Sequence, residues 1–83
     1  MLIIEFLDHL KKNRRYSLHT ITAYESDLAQ LQKYLKKQYD LEVAEANSAS
    51  LRSWVIELLE TGTQNKSVNR KISTLKSFYK FLM

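Results

Sequence analysis

Apolar residues recur every three or four positions in four separate stretches of this chain. Such spacing places the apolar side chains on one face of an α-helix, whereas a strand would alternate apolar and polar residues. Each stretch is also long enough for several helical turns. The pattern therefore predicts four amphipathic helices, over residues of about 2–12, 17–39, 48–61 and 65–82.

Residue types at the ends of these stretches support the same division. Ser17 and Asn47 precede the second and third helices, where a short polar side chain can accept hydrogen bonds from free backbone N–H groups. Gly62 follows the third helix, where a residue in the left-handed conformation commonly ends a helix. The acidic connector between the second and third helices carries Leu41 and Val43, which we expect to pack against the bundle.

The composition fits a single compact all-α domain. The chain has 83 residues, of which 45% are hydrophobic, with one glycine, no proline and no cysteine. It is too apolar for a disordered segment and too poor in turn residues for an all-β fold. Because it has no cysteine, it can form neither a disulfide framework nor a thiolate metal site. No apolar run approaches a membrane span, and the N-terminal stretch lacks the features of a signal peptide. We therefore predict a compact four-helix bundle spanning residues 1–83, located in the cytoplasm.

The charge of the chain is unevenly distributed. The net charge is +4, but residues 40–60 carry one basic and five acidic side chains, whereas residues 61–83 carry five basic side chains and no acidic ones. A second basic cluster lies near the start of the chain, at Lys11, Lys12, Arg14 and Arg15. Separated basic regions suit a polyanionic partner, although basic residues also serve simply to keep a small domain in solution.

The fourth predicted helix has a polar face that could contact DNA. Lysine and arginine neutralise phosphates, asparagine and arginine reach base edges, and serine allows a helix backbone to approach closely. Solvated helices usually place glutamate among their lysines, and this helix has none. The cationic surface is assigned to Lys66, Arg70, Lys71, Lys76 and Lys80, interleaved with Asn69, Ser73 and Ser77.

Two motifs in this order resemble a known family. Residues 17–28 read S-L-H-T-I-T-A-Y-E-S-D-L, and residues 67–82 read S-V-N-R-K-I-S-T-L-K-S-F-Y-K-F-L. They resemble the N-terminal core-binding domain of tyrosine recombinases and phage integrases, which has a SAM-like fold. The similarity covers nearly the whole chain.

The resemblance implies a DNA-binding domain without catalytic activity of its own. In that family the domain forms one arm of a clamp around duplex DNA, and a larger catalytic domain, which we expect to lie outside this chain, performs strand transfer. The implied partners are double-stranded DNA and other recombinase protomers, without a cofactor, a membrane or a small-molecule substrate. Arg70 and Lys76 are the first choices among the nine residues nominated for DNA contact: Ser17, Thr20, Thr22, Lys66, Asn69, Arg70, Ser73, Lys76 and Ser77.

Several other residues are interpreted as structural. Tyr24 and Tyr79 lie on apolar stripes, and nothing around them predicts the cationic pocket that a nucleophilic tyrosine requires. His9 and His19 lack companion ligands for zinc, so we expect surface positions. The stripe of the third helix consists of Leu51, Trp54, Val55, Leu58 and Leu59, with the tryptophan as a core anchor.

Two alternative functions remain open from the residues alone. One is a helical protein-interaction module with a solvated basic face, which would dock a partner helix through the first helix, with Ile3 and Phe6. The other is a basic domain that binds RNA or single-stranded nucleic acid, although the chain offers few aromatic residues for exposed stacking.

Overall fold

Four α-helices make up most of the computed structural model, which describes residues 2–13 and 15–83. Within these residues no β-strand occurs, and one short 3-10 turn, Val43–Glu45, joins the second helix to the third. The helices are α1 (Leu2–Lys11), α2 (Leu18–Tyr39), α3 (Ser48–Glu60) and α4 (Asn65–Leu82). The prediction of an all-α, four-helix fold is therefore confirmed.

The helix ends form through the side chains that the sequence suggested. The Ser17 hydroxyl accepts a hydrogen bond from the backbone N–H of Thr20, and the Asn47 side chain accepts one from the N–H of Ser50. The Ser50 hydroxyl in turn accepts from the N–H of Asn47 at 3.0 Å, which completes a capping box. Gly62 has a φ of +86°, so it holds the left-handed position after α3.

The connector between α2 and α3 is fixed to the bundle by two polar side chains. The backbone N–H of Val43 donates to the Gln32 side-chain oxygen at 3.2 Å, and the Tyr79 hydroxyl donates to the carbonyl of Val43 at 2.7 Å. The Val43 side chain is buried in the core. These contacts explain why a segment without helical periodicity takes one defined path across the bundle.

Aromatic and leucine side chains fill the core between the helices. The Phe6 ring packs edge-on against Phe78 with 5.3 Å between centroids and lies 5.5 Å from the ring of Phe81. Trp54 is buried, as expected, but Leu59 is 50% exposed. The prediction for Leu59 was wrong. Helix α3 buries the face that carries Trp54, and Leu59, five residues later, lies about 140° away around the helix axis.

Helices α2 and α4 cross each other and are joined there by polar contacts. Asp27 of α2 bonds to Thr74 of α4, whereas Gln30, further along α2, bonds to Lys71, which comes earlier in α4. Tyr16, which precedes α2, lines one cavity together with Ser77 and Lys80, so the start of α2 lies near the second half of α4. None of the described helices is long and apolar enough to cross a bilayer.

Candidate nucleic-acid interface

The polar face of α4 is open to solvent over most of its length. Five of the six nominated residues on this helix are exposed and Ser77 is half-buried. Together with Lys80 they form two neighbouring rows at helical spacing, one of Lys66, Arg70, Ser73 and Ser77, the other of Asn69, Lys76 and Lys80. From Lys66 to Ser77 the helix rises by about 16 Å, so the face is long enough to follow several phosphates.

The three nominated residues of α2 do not share one face. Thr20 precedes Asp27 by seven residues, so it lies on the side of α2 that faces α4. Thr22 precedes Asp27 by five residues and is therefore turned away by about 140° around the helix axis. The structure brings Thr20 towards α4 and leaves Thr22 exposed on another side of α2.

Ser17 and Thr20 already have partners at the start of α2. Their hydroxyl oxygens lie 3.0 Å apart, and the Ser17 hydroxyl also accepts the backbone N–H of Thr20 at 3.1 Å. Beside them, Tyr16, Ser77 and Lys80 line one cavity of about 460 Å³. The residue before Ser17 thus shares a cavity with the C-terminal half of α4.

Beneath the exposed face of α4 lies a buried carboxylate with four hydrogen bonds. Asp27, which is 0% exposed, accepts from Arg70 Nη2 at 2.6 Å and from Lys71 Nζ at 2.8 Å on its Oδ1 atom. Its Oδ2 atom accepts from Arg70 Nε at 3.1 Å and from the Thr74 hydroxyl at 2.8 Å. An ionised carboxylate has about four acceptor positions, so each of them is used.

The network keeps Asp27 ionised despite its burial. Burial alone raises the pKa of this carboxyl, but hydrogen bonds from Arg70, Lys71 and Thr74 outweigh it, so the pKa lies below its ordinary value. The same hydrogen bond raises the pKa of Arg70, against the smaller effect of burial. At neutral pH the three charged groups of this network together carry one positive charge.

Two expectations about the cationic surface are corrected by this network. Lys71 is 5% exposed and bonds to Asp27 and Gln30, so its charge belongs to the interior and not to the surface. Arg70 is a partner of Asp27 as well as a surface residue, with 44% of its side chain exposed. A charged residue must be paired when a helix interface buries it, and both Asp27 and Lys71 lie within this interface.

The sequence did contain a signal for this buried network. Asp27 stands three residues after Tyr24 and four before Leu31, and Lys71 stands in the same relation to Val68 and Leu75. Both charged residues therefore occupy positions on the apolar stripes of their helices. A charge at such a position predicts an opposite charge on the facing helix.

The second basic cluster is exposed where it is described. Lys11, Lys12 and Arg15 are all exposed, and Arg14 lies outside the described residues. The backbone N–H of Arg15 donates to the Asn13 side-chain oxygen at 3.1 Å, which shapes the turn between α1 and α2. This cluster therefore forms a second basic surface beside the start of α2.

The first helix does not present the apolar stripe that partner docking was expected to use. Ile3 and Phe6 are buried at 8% and 1% exposure, because they pack into the core of their own domain. That form of the protein-interaction alternative is wrong. Ile4 is exposed instead and lines a groove of about 630 Å³ between α1 and α2.

The aromatic and histidine residues have structural positions. Tyr24 is half-buried and packs on the core, and burial raises the pKa of Tyr79 to about 12. His9 and His19 are exposed, and the His9 ring lies 5.1 Å from that of Phe81. No cluster of three or more potential metal ligands occurs within residues 2–13 and 15–83.

Comparison with known proteins gives a consistent result. The model of the phage integrase N-terminal SAM-like domain matches residues 3–83. Tyrosine recombinase XerC of Listeria innocua is 41% identical over 78 residues, covering 94% of this chain and 26% of the relative. Tyrosine recombinase XerD of Rickettsia bellii is 41% identical over 81 residues, covering 98% of this chain and 26% of the relative. The chain thus spans about a quarter of the length of these relatives. No solved structure matches it.

Proposed function

The chain belongs to the phage integrase N-terminal SAM-like domain family, and from this membership we propose that it binds duplex DNA as one arm of a clamp around a recombination core site. The family match agrees with the resemblance in the two sequence motifs. The observation that carries the proposal is the exposed face of α4, a helix of 18 residues with five cations and no acidic residue.

The chemistry of this face suits a DNA groove. Lys66, Lys76 and Asn69 are exposed. The two lysines would neutralise phosphates, and Asn69 would reach a base edge or a sugar. Ser73 between them has a side chain short enough for the helix backbone to approach the duplex. An exposed helix of this kind is of the right width to lie in a major groove.

Helix α2 would contribute its N-terminal turn to the same surface. Ser17 directly follows Tyr16, which lines one cavity with Ser77, so one DNA backbone could contact Ser17, Thr20 and Ser77. Thr22 is turned about 140° away from the side that faces α4 and would meet only DNA that bends around the helix. It is therefore the least favourably placed of the nominated residues.

The reaction of the longer protein is a further part of the proposal. The relatives are named tyrosine recombinases, and this chain spans about a quarter of their length. We propose that the longer protein cleaves and rejoins DNA strands through a phosphotyrosine, with the catalytic residues outside this chain and other protomers as partners. Its site of action would be the cytoplasm, where bacterial DNA lies. The 83-residue chain would bind DNA and carry out no chemical step.

The salt dependence of duplex binding tests the proposal. Each phosphate contact that a lysine makes adds about 0.9 to the slope of log K against log salt concentration. We expect the Lys66→Gln, Lys76→Gln double variant to bind a core-site duplex more weakly than the unchanged chain, with a slope shallower by about two. Fluorescence anisotropy over a salt series measures both.

A matched control separates contact from net charge. Lys37 and Arg52 are also exposed, but they lie on α2 and α3 outside the nominated surface. The Lys37→Gln, Arg52→Gln variant loses the same two charges, and we expect its slope to stay within experimental error of the original. Equal losses in both variants, or tighter binding of a single strand than of the duplex, would contradict the proposed interface.

A further inference from the structure

Arg70 uses only one edge of its guanidinium group within the protein. Nε and Nη2 both donate to Asp27, at 3.1 and 2.6 Å, in the side-on arrangement of a bidentate ion pair. The two donors of Nη1 lie at the other end of the planar group. No hydrogen bond to Nη1 occurs within residues 2–13 and 15–83, and 44% of the side chain is exposed.

Lys71 changes the charge that this ion pair presents. With Asp27 and Arg70 alone, the pair would be neutral and would attract a phosphate only weakly. The buried ammonium of Lys71 lies 2.8 Å from Asp27 Oδ1 and gives the cluster a net positive charge. Since Lys71 is buried and Arg70 is not, the excess charge is available to a ligand only through Arg70.

We propose that this cluster is a preorganised phosphate-binding site, in which Asp27 and Lys71 position Arg70 and the Nη1 group of Arg70 donates to a non-bridging phosphate oxygen of duplex DNA. The inference rests on the proposed function and adds a distinct role to three residues. Asp27 and Lys71 are positioning residues that do not touch the DNA. Lys66 and Ser73, one helical turn to either side of Arg70, would contact the neighbouring backbone.

Preorganisation gives this contact properties that the exposed lysines lack. A free arginine or lysine loses rotamer entropy when it binds a phosphate, whereas Arg70 has lost most of it on folding. A lysine at position 70 would keep the charge but could not bond to Asp27 through one edge and to a phosphate through the other. The site therefore requires the planar shape of arginine as well as its charge.

A pair of conservative substitutions tests this requirement. We expect Arg70→Lys to weaken duplex binding at least about fivefold, because a charge-assisted hydrogen bond is lost. The matched exchange at an exposed lysine, Lys76→Arg, should leave the affinity within about twofold. Thermal denaturation of each variant establishes that the domain is folded at the temperature of the binding measurement.

A substitution of Lys71 tests the role of its charge, because a purely structural role would not change the affinity of the folded domain for DNA. We expect Lys71→Met, which keeps the buried volume, to weaken duplex binding at least about threefold although the side chain cannot reach DNA. Folded variants that bind as tightly as the unchanged chain, for both Arg70→Lys and Lys71→Met, would overturn the inference.

Nuclear magnetic resonance of the unchanged chain tests the same site without a substitution. The Nε–H signal of Arg70 should be protected from solvent exchange in the free protein and should persist when a duplex is added, while the Nη signals shift. Unshifted Arg70 signals at a DNA concentration that shifts the amides of Lys66 and Lys76 would overturn the phosphate site but leave the proposed function intact. Absence of any duplex binding at low salt would overturn both.

Discussion

Neighbouring cations on α4 have different environments. Arg70 and Lys71 bond to one buried carboxylate of α2, whereas Lys66 and Lys76, four and five residues away, are exposed to solvent. All four belong to the same acid-free stretch of sequence. The contrast shows that local charge density does not identify an exposed surface, because the position of each cation relative to the apolar stripe decides whether it supports the fold or faces solvent.

The largest expected effect follows from removing the carboxylate. Asp27→Ala leaves Arg70 and Lys71 without their counterion in the interface between α2 and α4. We expect the free energy of unfolding to fall by about 3–5 kcal/mol, as when one partner of a buried ion pair is removed. The exposed counterpart, Lys76→Gln, should change it by no more than about 0.5 kcal/mol. Urea denaturation measures both, and equal effects would remove the distinction between the two regions.

The dependence of stability on pH sharpens the same contrast. The pKa of Asp27 is lowered in the folded state, so the unfolded chain takes up a proton more readily at this residue. The stabilisation by the ionised Asp27 carboxylate is therefore complete above its pKa in the unfolded chain, about 3.9. It is lost as the pH falls through the lower pKa of the folded state. Urea midpoints between pH 6 and 3 should fall less steeply for Asp27→Asn than for the unchanged chain. Parallel curves would show that other carboxyl groups cause the acid sensitivity.

A smaller effect is expected at the connector, where a neutral polar group is buried. Tyr79→Phe removes the donor to the Val43 carbonyl, and we expect a loss of about 1–2 kcal/mol of unfolding free energy. Tyr39 is exposed, so Tyr39→Phe serves as the control and should be close to neutral. A difference between the two tyrosines below about 0.5 kcal/mol would mean that the connector is held by its apolar contacts alone.

The helices were predictable because their signals are local. Ser17, Asn47 and Gly62 mark helix ends through interactions within three or four residues, and the described helices begin and end within one residue of the expected ranges. The path of the connector was harder to predict from the sequence, because Val43 is held by Gln32 and Tyr79, which lie far from it along the chain.

The functional surface was harder to predict than the fold. Spacing along α4 identified a polar face and left Lys71 on the apolar stripe, but it could not show which group Lys71 bonds to, because that depends on where α2 lies. The double role of Arg70 depends on Asp27, 43 residues earlier in the chain. Thr22 was grouped with Thr20 by proximity in sequence, although two residues along a helix turn a side chain by about 200°.

The central claim is that the exposed face of α4 binds duplex DNA, and the salt dependence of binding tests it most directly. The account predicts that the slope of log K against log salt concentration becomes shallower by about two in the Lys66→Gln, Lys76→Gln variant. It predicts no change in the Lys37→Gln, Arg52→Gln variant of equal net charge. Identical slopes for the unchanged chain and both variants would contradict the claim.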